Sequence, residues 1–306
     1  MLTSPYYNTR ADGAPLERSA RQFGHMTTVA IIGAGDLGGA VAQALAARDS
    51  VGRITLVDTS AKAAAGKALD IQQSGAVDGF HTALDGTDDM SRVTGCRACV
   101  IADRFGSAGE WRGEEGLSMI SRLAPFLGDA PIVFSGAGQA DLLTHAGREA
   151  RLPRQRLIGS APEALAAAVK AIVAMEARCA PAEVMLAVLG TPPDGFVVPW
   201  SEASIGGYTL DRVLSQVQLT RVEARAARLW PPGVYTLGAA AARLVHAILH
   251  SSRRSFSVLT LLGGEFGVRD RVGTLPVILA APGIVHARVP SLTTRERVQL
   301  ETALGR

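Results

Sequence analysis

The feature that most constrains the fold is a glycine-rich segment that follows an apolar run near residue 30. The apolar run from Thr28 to Ile32 leads directly into Gly33, Gly35 and Gly38, which are spaced as G-x-G-x-x-G and followed by a helical pattern. The first glycine permits a tight turn, the second lets a ligand approach the backbone, and the third lets the helix pack against the strand. Amides at the start of the helix favour an anion. The segment predicts a strand, a phosphate-binding turn and a helix.

An acidic residue at the end of the next apolar run makes the motif more specific. The run from Arg53 to Val57 ends in Asp58, 20 residues after Gly38, where a carboxylate can accept hydrogen bonds from the adenosine ribose. Its charge disfavours a 2'-phosphate, and Thr59 supplies no cation, so NAD(H) is favoured over NADP. The alternative is a strand, turn and helix that bind no nucleotide. The predicted cofactor-binding residues are Gly33, Gly35, Asp36, Leu37, Gly38, Asp58 and Ala102.

The rest of the first half alternates short apolar runs with helical patterns. Helices are predicted at 40–47, 61–73 and 117–127, and further strands at 100–102 and 132–134. This alternation is typical of a parallel sheet that helices cover on both faces, the doubly wound (Rossmann) arrangement. We predict a dinucleotide-binding domain at 27–141.

The second half has a different pattern. Helices are predicted at 163–177, 210–229 and 238–250, and strands at 184–189, 258–262 and 277–279, the last two antiparallel. Such a mixture indicates an α+β C-terminal domain, which we place at 142–306. The fold class is therefore α/β with an α+β second domain.

Composition excludes several classes of protein. The chain has 306 residues with a net charge of +3, and its basic residues are dispersed, which argues against nucleic-acid binding. No apolar run reaches the ~18 residues that a membrane span requires. Residues 1–26 have no apolar core of a signal peptide and are predicted to be a disordered tail, so the expected location is the cytoplasm.

Cys96 and Cys99 are spaced as C-x-x-C, a spacing that occurs in metal-binding and redox sites. The pair has no nearby histidine, and Cys179 is distant, so a zinc site lacks ligands. Cys99 also opens an apolar run, which favours the start of a buried strand. No metal site is predicted.

Several segments together resemble the malate and lactate dehydrogenases. They include GAGDLGGAVAQALA, ITLVD, GKALDIQQS, VLGTPPDGFVVPW, SIGGYTL, GAAAARLVHAIL and GGEFGVRDRVGTLPVIL, and the similarity spans about residues 28 to 300. The resemblance implies the lactate/malate dehydrogenase fold, NAD(H) as cofactor, and a homodimer or homotetramer.

The resemblance also implies a catalytic set that this chain lacks. The family uses a histidine base, an aspartate that orients it, an arginine that binds the substrate carboxylate and an asparagine near the nicotinamide. Those positions correspond here to Pro192, Leu165, Ala168 and Gly138. On the family's mobile loop, Gly106 stands at the first arginine position, while Arg112 is a possible remnant of the second. Asp194 matches the aspartate that trails the missing histidine.

Two functional hypotheses follow, with a scaffold that binds no nucleotide as a third. In the first, the chain binds NAD(H) but its 2-hydroxy-acid site is degenerate, leaving a pseudoenzyme, sensor or interaction subunit. Apolar residues in place of the family's charged ones fit this hypothesis, because a buried charge without its partner costs several kcal/mol. In the second, it is an active oxidoreductase on a neutral or unusual hydroxy or keto substrate. The base would then be Asp194, Asp103, Glu163 or another nearby acid with a raised pKa.

The segment 105–116 leaves two alternatives open. It carries Trp111 and Arg112 together with several glycines, and Arg104 precedes it at the end of the third predicted strand. The segment either closes over the cofactor or is a flexible surface loop with one packed tryptophan. Arg104 either reaches the pyrophosphate or is solvated.

Overall fold

The computed structural model describes residues 27–106 and 109–305, so the predicted tail at 1–26 lies outside the described residues. The strands are β1 Thr28–Ile32, β2 Arg53–Val57, β3 Ala83–Thr87, β4 Ala98–Ile101, β5 Asp103–Arg104, β6 Gly109–Glu110, β7 Ile132–Phe134, β8 Leu157–Gly159, β9 Val184–Met185, β10 Leu189–Thr191, β11 Gly195–Val197, β12 Ser204–Ile205, β13 Tyr208–Thr209, β14 Ser255–Gly263, β15 Arg269–Ala280 and β16 Gly283–Ala287. The helices are α1 Asp36–Ala46, α2 Ala61–Asp78, α3 Gly113–Leu123, α4 Ala140–Arg148, α5 Ala161–Ala177, α6 Leu210–Val213, α7 Gln216–Ala226, α8 Val234–Leu249 and α9 Thr294–Ala303.

The first half is a parallel sheet with the strand order β3-β2-β1-β4-β7-β8. Alternate residues of β1 face opposite sides: Val29 and Ile31 join one apolar core, while Ala30 and Ile32 join a second. Because both faces are buried, the strands are apolar throughout, as in doubly wound sheets. The predicted fold class is confirmed.

The second half continues the same sheet with antiparallel strands. Strand β14 pairs with β8 through Leu259 and Gly159, and β15, β10, β11 and β16 extend the sheet further. Helix α8 packs closely on α1, because a Cβ on Gly238 would lie 2.8 Å from Cβ of Ala40. The sheet thus runs past the predicted domain boundary at 141 without a break.

Two predicted elements are each divided in the structure. The strand at 184–189 is two short strands, β9 and β10, which pair with different neighbours. The helix at 210–229 is interrupted because Ser215 begins a new helix: its hydroxyl accepts a bond from the Gln218 amide, and the Gln218 side chain accepts one from the Ser215 amide. This capping box is readable as S-x-x-Q, but the apolar pattern continues across it.

The cysteines occupy the interior. Cys99 lies in β4, as predicted, and Cys96 lies just before it, both as free thiols. Burial raises the pKa of Cys96 to about 11 and also raises that of Cys99, so both thiols are neutral. Among the residues with described positions, no cluster of three or more His, Cys, Asp or Glu could hold a metal ion. Within the same ranges, no helix has the length and apolarity to cross a membrane.

Candidate functional site

The turn between β1 and α1 forms the floor of the candidate site. Gly33 has φ +111°, and its amide donates to the Val57 carbonyl at 2.7 Å. A Cβ on Gly33 would collide with the Asp103 carbonyl oxygen, and one on Gly38 would collide with the Gly33 carbonyl oxygen. Glycine is therefore required at Gly33 by conformation and at both positions by close backbone packing.

Asp58 is 3% exposed and points into this turn. Its Oδ2 accepts bonds from the amides of Ala34 at 2.8 Å and Phe105 at 3.0 Å. Its Oδ1 accepts from the Thr59 hydroxyl at 3.2 Å and the Ser60 amide at 3.1 Å. Each carboxylate oxygen thus already has two donors, and a ribose hydroxyl could bond to it only by displacing one of them.

An anion occupies the start of α1, and it is the side chain of Asp103. Oδ1 of Asp103 accepts a bond from the Gly38 amide at 2.9 Å, and its carbonyl oxygen accepts from the Gly35 amide at 3.0 Å. A Cβ on Gly35 would collide with the same carboxylate. The open space that glycine creates at this helix N-terminus therefore holds a carboxylate of the chain itself.

A second carboxylate lies on the neighbouring strand. Glu110 is the cross-strand partner of Asp103 and accepts bonds from the amides of Ala137 at 3.0 Å and Gly138 at 2.9 Å. Arg112 lies 3.5 Å from Glu110, and its side chain is 69% exposed. Gly138 is the position at which the resemblance places an asparagine near the nicotinamide.

The remaining predicted cofactor residues surround the turn. The Asp36 side chain is 94% exposed and lies 3.8 Å from Nζ of Lys67, which donates to the Gly35 carbonyl at 2.8 Å. Leu37 and Ala102 are buried beneath the turn. The structure thus gathers the predicted cofactor residues, and Lys67, which no sequence motif marks, also contacts them.

Arg104 and Trp111 fix the base of the strand pair β5 and β6. Arg104 forms an ion pair with Glu115, and its guanidinium lies 4.7 Å from the centre of the Trp111 ring. Trp111 is 5% exposed. The described part of segment 105–116 is therefore anchored, with Trp111 buried and with Glu115 paired to Arg104.

A small cavity lies beside Pro192, the residue that the resemblance places at the family's catalytic histidine. Its cavity volume is about 10 Å³, and its lining includes Pro192, Trp230, Pro162, Ala137 and Gln139. A volume of about 10–15 Å³ accommodates roughly one water molecule. Pro192, where the resemblance places a histidine, thus borders a space too small for a 2-hydroxy acid.

The two positions on α5 where the resemblance places an aspartate and an arginine also carry apolar side chains. Leu165 is fully buried in a cluster with Val169, Val188 and Val198, while Ala168 is partly exposed. Asp194 is exposed in the turn between β10 and β11. In this structure neither Leu165 nor Asp194 lines the small cavity.

Glu163 belongs to another cavity, of about 540 Å³, which shares no lining residue with the small one. It accepts a bond from the Ser257 amide at 2.9 Å and lies 3.8 Å from Arg243. Burial raises the pKa of Glu163, although Lys170, the Ser257 amide and Arg243 oppose the rise. Burial likewise lowers the pKa of Lys170. None of the three acids considered as a base therefore lines the filled pocket.

The chain is similar in sequence to known malate dehydrogenases. No family model matches the chain. It is similar to the malate dehydrogenase of Thermomicrobium roseum, with 29% identity over 289 residues that cover 89% of this chain and 93% of the relative. The malate dehydrogenase of Thioalkalivibrio sulfidiphilus is 28% identical over 297 residues, which cover 92% of this chain and 97% of the relative.

Solved structures agree on the fold. Malate dehydrogenase from Salinibacter ruber superposes with a TM-score of 0.83 at 24% identity, covering 91% of this chain and 94% of that one. Lactate dehydrogenase from Cryptosporidium parvum, solved with lactic acid and nicotinamide adenine dinucleotide, superposes with a TM-score of 0.81 at 20% identity, covering 90% and 94%.

Proposed function

Since the chain belongs to the malate and lactate dehydrogenase family, we propose that it is a cytoplasmic NAD(H)-binding protein that has lost the family's 2-hydroxy-acid chemistry. In this proposal it acts as a pseudoenzyme, either a sensor of the dinucleotide or an interaction subunit. The observation that carries the proposal is the pocket of about 10 Å³ beside Pro192.

The cofactor part of the proposal rests on the turn between β1 and α1. Gly33, Gly35 and Gly38 place the N-terminus of α1 where a pyrophosphate would bind, and Asp58 ends β2 beside them. The related lactate dehydrogenase was solved with this dinucleotide. Asp58 would bond to the adenosine ribose after its Phe105 donor moves away, and its charge would disfavour NADP.

The loss of chemistry follows from what replaces the catalytic set. Hydride transfer from a 2-hydroxy acid needs a base near the reacting hydroxyl and a cation for the carboxylate. Proline, leucine and alanine at positions 192, 165 and 168 supply neither. The competing idea of a rebuilt active site has less support, because Glu163, the buried acid with a raised pKa, lines a separate cavity.

We also propose a homodimer or homotetramer. Helix α2 exposes two apolar side chains, that of Leu69, which is 56% exposed, and that of Val77, which is 87% exposed. Exposed apolar residues on one helix face are typical of interfaces between subunits. Sedimentation of the purified chain would test this, and a monomer at micromolar concentration would contradict it.

The decisive experiment is a titration with NADH and NADPH up to millimolar concentration, followed by energy transfer from tryptophan. The wild type is expected to prefer NADH, and Asp58→Asn is expected to reduce that preference. Asp88→Asn, an exposed acid-to-amide change, is the matched control. Because a ratio of two affinities is compared, partial destabilisation of the variant does not imitate the result.

Turnover is measured in the same preparations. Oxaloacetate and pyruvate with NADH are expected to give no reaction above the rate without protein. Absence of NADH binding in the wild type and in every variant would contradict the cofactor proposal, and reduction of either acid would contradict the loss of chemistry.

A further inference from the structure

Three separate parts of the dinucleotide site are occupied by one short piece of the chain. We call β5 and β6, together with the adjoining Phe105, the β5–β6 ribbon. Its described residues contact the N-terminus of α1, the Asp58 carboxylate, and the amides at 137 and 138. Under the proposed function, these are the pyrophosphate, ribose and nicotinamide ends of the site.

The pyrophosphate position is blocked most directly. Asp103 places a negative charge 2.9 Å from the Gly38 amide, in the space that Gly35 leaves open. A pyrophosphate there would need the same amide and would lie against a like charge, which is repulsive in a partly buried site. The Asp103 carboxylate and the ligand are therefore mutually exclusive.

The other two positions are blocked by the same element. The Phe105 amide donates to Oδ2 of Asp58, and the Glu110 carboxylate accepts from the amides of Ala137 and Gly138. Asp103 and Glu110 are paired across the ribbon. One displacement of the ribbon would therefore free all three positions together.

We propose that the β5–β6 ribbon is an autoinhibitory element that imitates the ligand, with Asp103 in the place of the pyrophosphate. The inference rests on the proposed function, because it assumes that the site behind the ribbon receives NAD(H). The apparent dissociation constant then equals the intrinsic one divided by the fraction of molecules in which the ribbon is displaced. Contacts of Arg104 with Glu115 and Trp111 hold the ribbon in the closed position.

The test compares calorimetric affinities of NADH, ADP-ribose and adenosine for the wild type, Asp103→Ala and Asp103→Asn. Both variants are expected to bind NADH and ADP-ribose at least tenfold more tightly than the wild type. The gain for adenosine is expected to be smaller, because adenosine carries no phosphate to meet the Asp103 charge. A residue with a merely structural role would not produce a gain that depends on phosphate. Asp88→Asn again controls for the change in net charge.

Hydrogen exchange supplies a readout that does not depend on binding. The amides of Gly38, Ala137 and Gly138 are expected to exchange slowly in the wild type and faster in the double variant Asp103→Ala/Glu110→Ala. Asp103→Ala alone, in which Gly38 also loses its acceptor, covers the case in which the double variant fails to fold.

The two proposals fail in different ways. Equal affinity of the wild type and both Asp103 variants for ADP-ribose, or unchanged exchange at Gly38, would overturn the autoinhibitory ribbon. Faster exchange in the variants with no dinucleotide binding by any of them would support the ribbon as a closed element and refute the proposed cofactor.

Discussion

An aspartate at position 165 of α5, where the resemblance places the family's aspartate, should lower the free energy of unfolding, and the size of the loss follows from the burial of Leu165. Leu165 is fully buried among apolar side chains. Leu165→Ala should lower the free energy of unfolding by about 3 kcal/mol, from lost burial and the cavity that remains. Leu165→Asp leaves a comparable cavity and adds a carboxylate that none of the described neighbours in that cluster can pair.

The charge makes the extra cost depend on pH. Burial of an unpaired carboxyl raises its pKa by about 3 units, so the folded protein holds the proton more tightly than the unfolded chain does. The introduced carboxyl therefore destabilises the folded protein least below its unfolded pKa of about 4, where it is protonated in both states. Its cost grows as the pH rises from that value to the folded pKa. In that window the gap between the Asp and Ala variants should widen by about 1.4 kcal/mol per pH unit, to roughly 4 kcal/mol near pH 7.

Urea unfolding of the wild type, Leu165→Ala and Leu165→Asp between pH 4.5 and 7.5 measures this gap directly. The Ala variant controls for the lost side chain at every pH. If the two variants are equally stable at pH 7, position 165 faces a polar or hydrated space. The argument that the catalytic set was replaced by packed apolar core would then be wrong.

Two further changes test the local structure. Glu296→Ala removes bonds to the Ser201 amide and hydroxyl and to Thr293 at the start of α9, and should cost about 1–2 kcal/mol at pH 7 by urea unfolding. Burial raises the pKa of Glu296, but the bonds from Ser201 and Thr293 outweigh burial and hold this pKa below its ordinary value. The stabilisation that Glu296 contributes should therefore be lost as the pH falls through the lowered pKa. The exposed Glu301→Ala should leave the free energy of unfolding unchanged. Gly38→Ala should lower the free energy of unfolding by about 2 kcal/mol, as measured by thermal unfolding, because its Cβ would meet the Gly33 backbone. Gly66→Ala, an exposed helical site with nothing within 4 Å, should gain about 0.5–1 kcal/mol, and equal effects at the two glycines would contradict the packing argument.

Elements with a local signal were predicted well. Strands β1 and β2 were placed with their observed bounds, because each is an apolar run ended by a glycine or an acid. Helix α9 was missed although Thr293 and Glu296 form a readable capping box, since an apolar stripe is nearly absent there. Strand β16 and the pair β5 and β6 lack any comparable signal.

The candidate site could be predicted only in part, for a physical reason. The residues at the positions where the resemblance places the catalytic set can be read from the sequence, but the volume left between Pro192 and Trp230 depends on packing in three dimensions. The bond from the Gly38 amide to Asp103 joins residues 65 positions apart, and no local pattern marks it. From the sequence Asp103 is one of the candidate bases, whereas in the structure it accepts bonds from the Gly38 and Gly35 amides at the glycine turn.

The uninterrupted sheet has a consequence for how damage spreads through the molecule. Strand β14 carries the sheet across to β8, and α8 is packed on α1 through Gly238 and Ala40, so the two halves share backbone bonds and core. Such a structure is expected to unfold as one cooperative unit. A lesion confined to the second half, including one at Leu165, should therefore lower dinucleotide binding in the first half in proportion to the fraction of molecules that it unfolds, even though it touches no residue of that site.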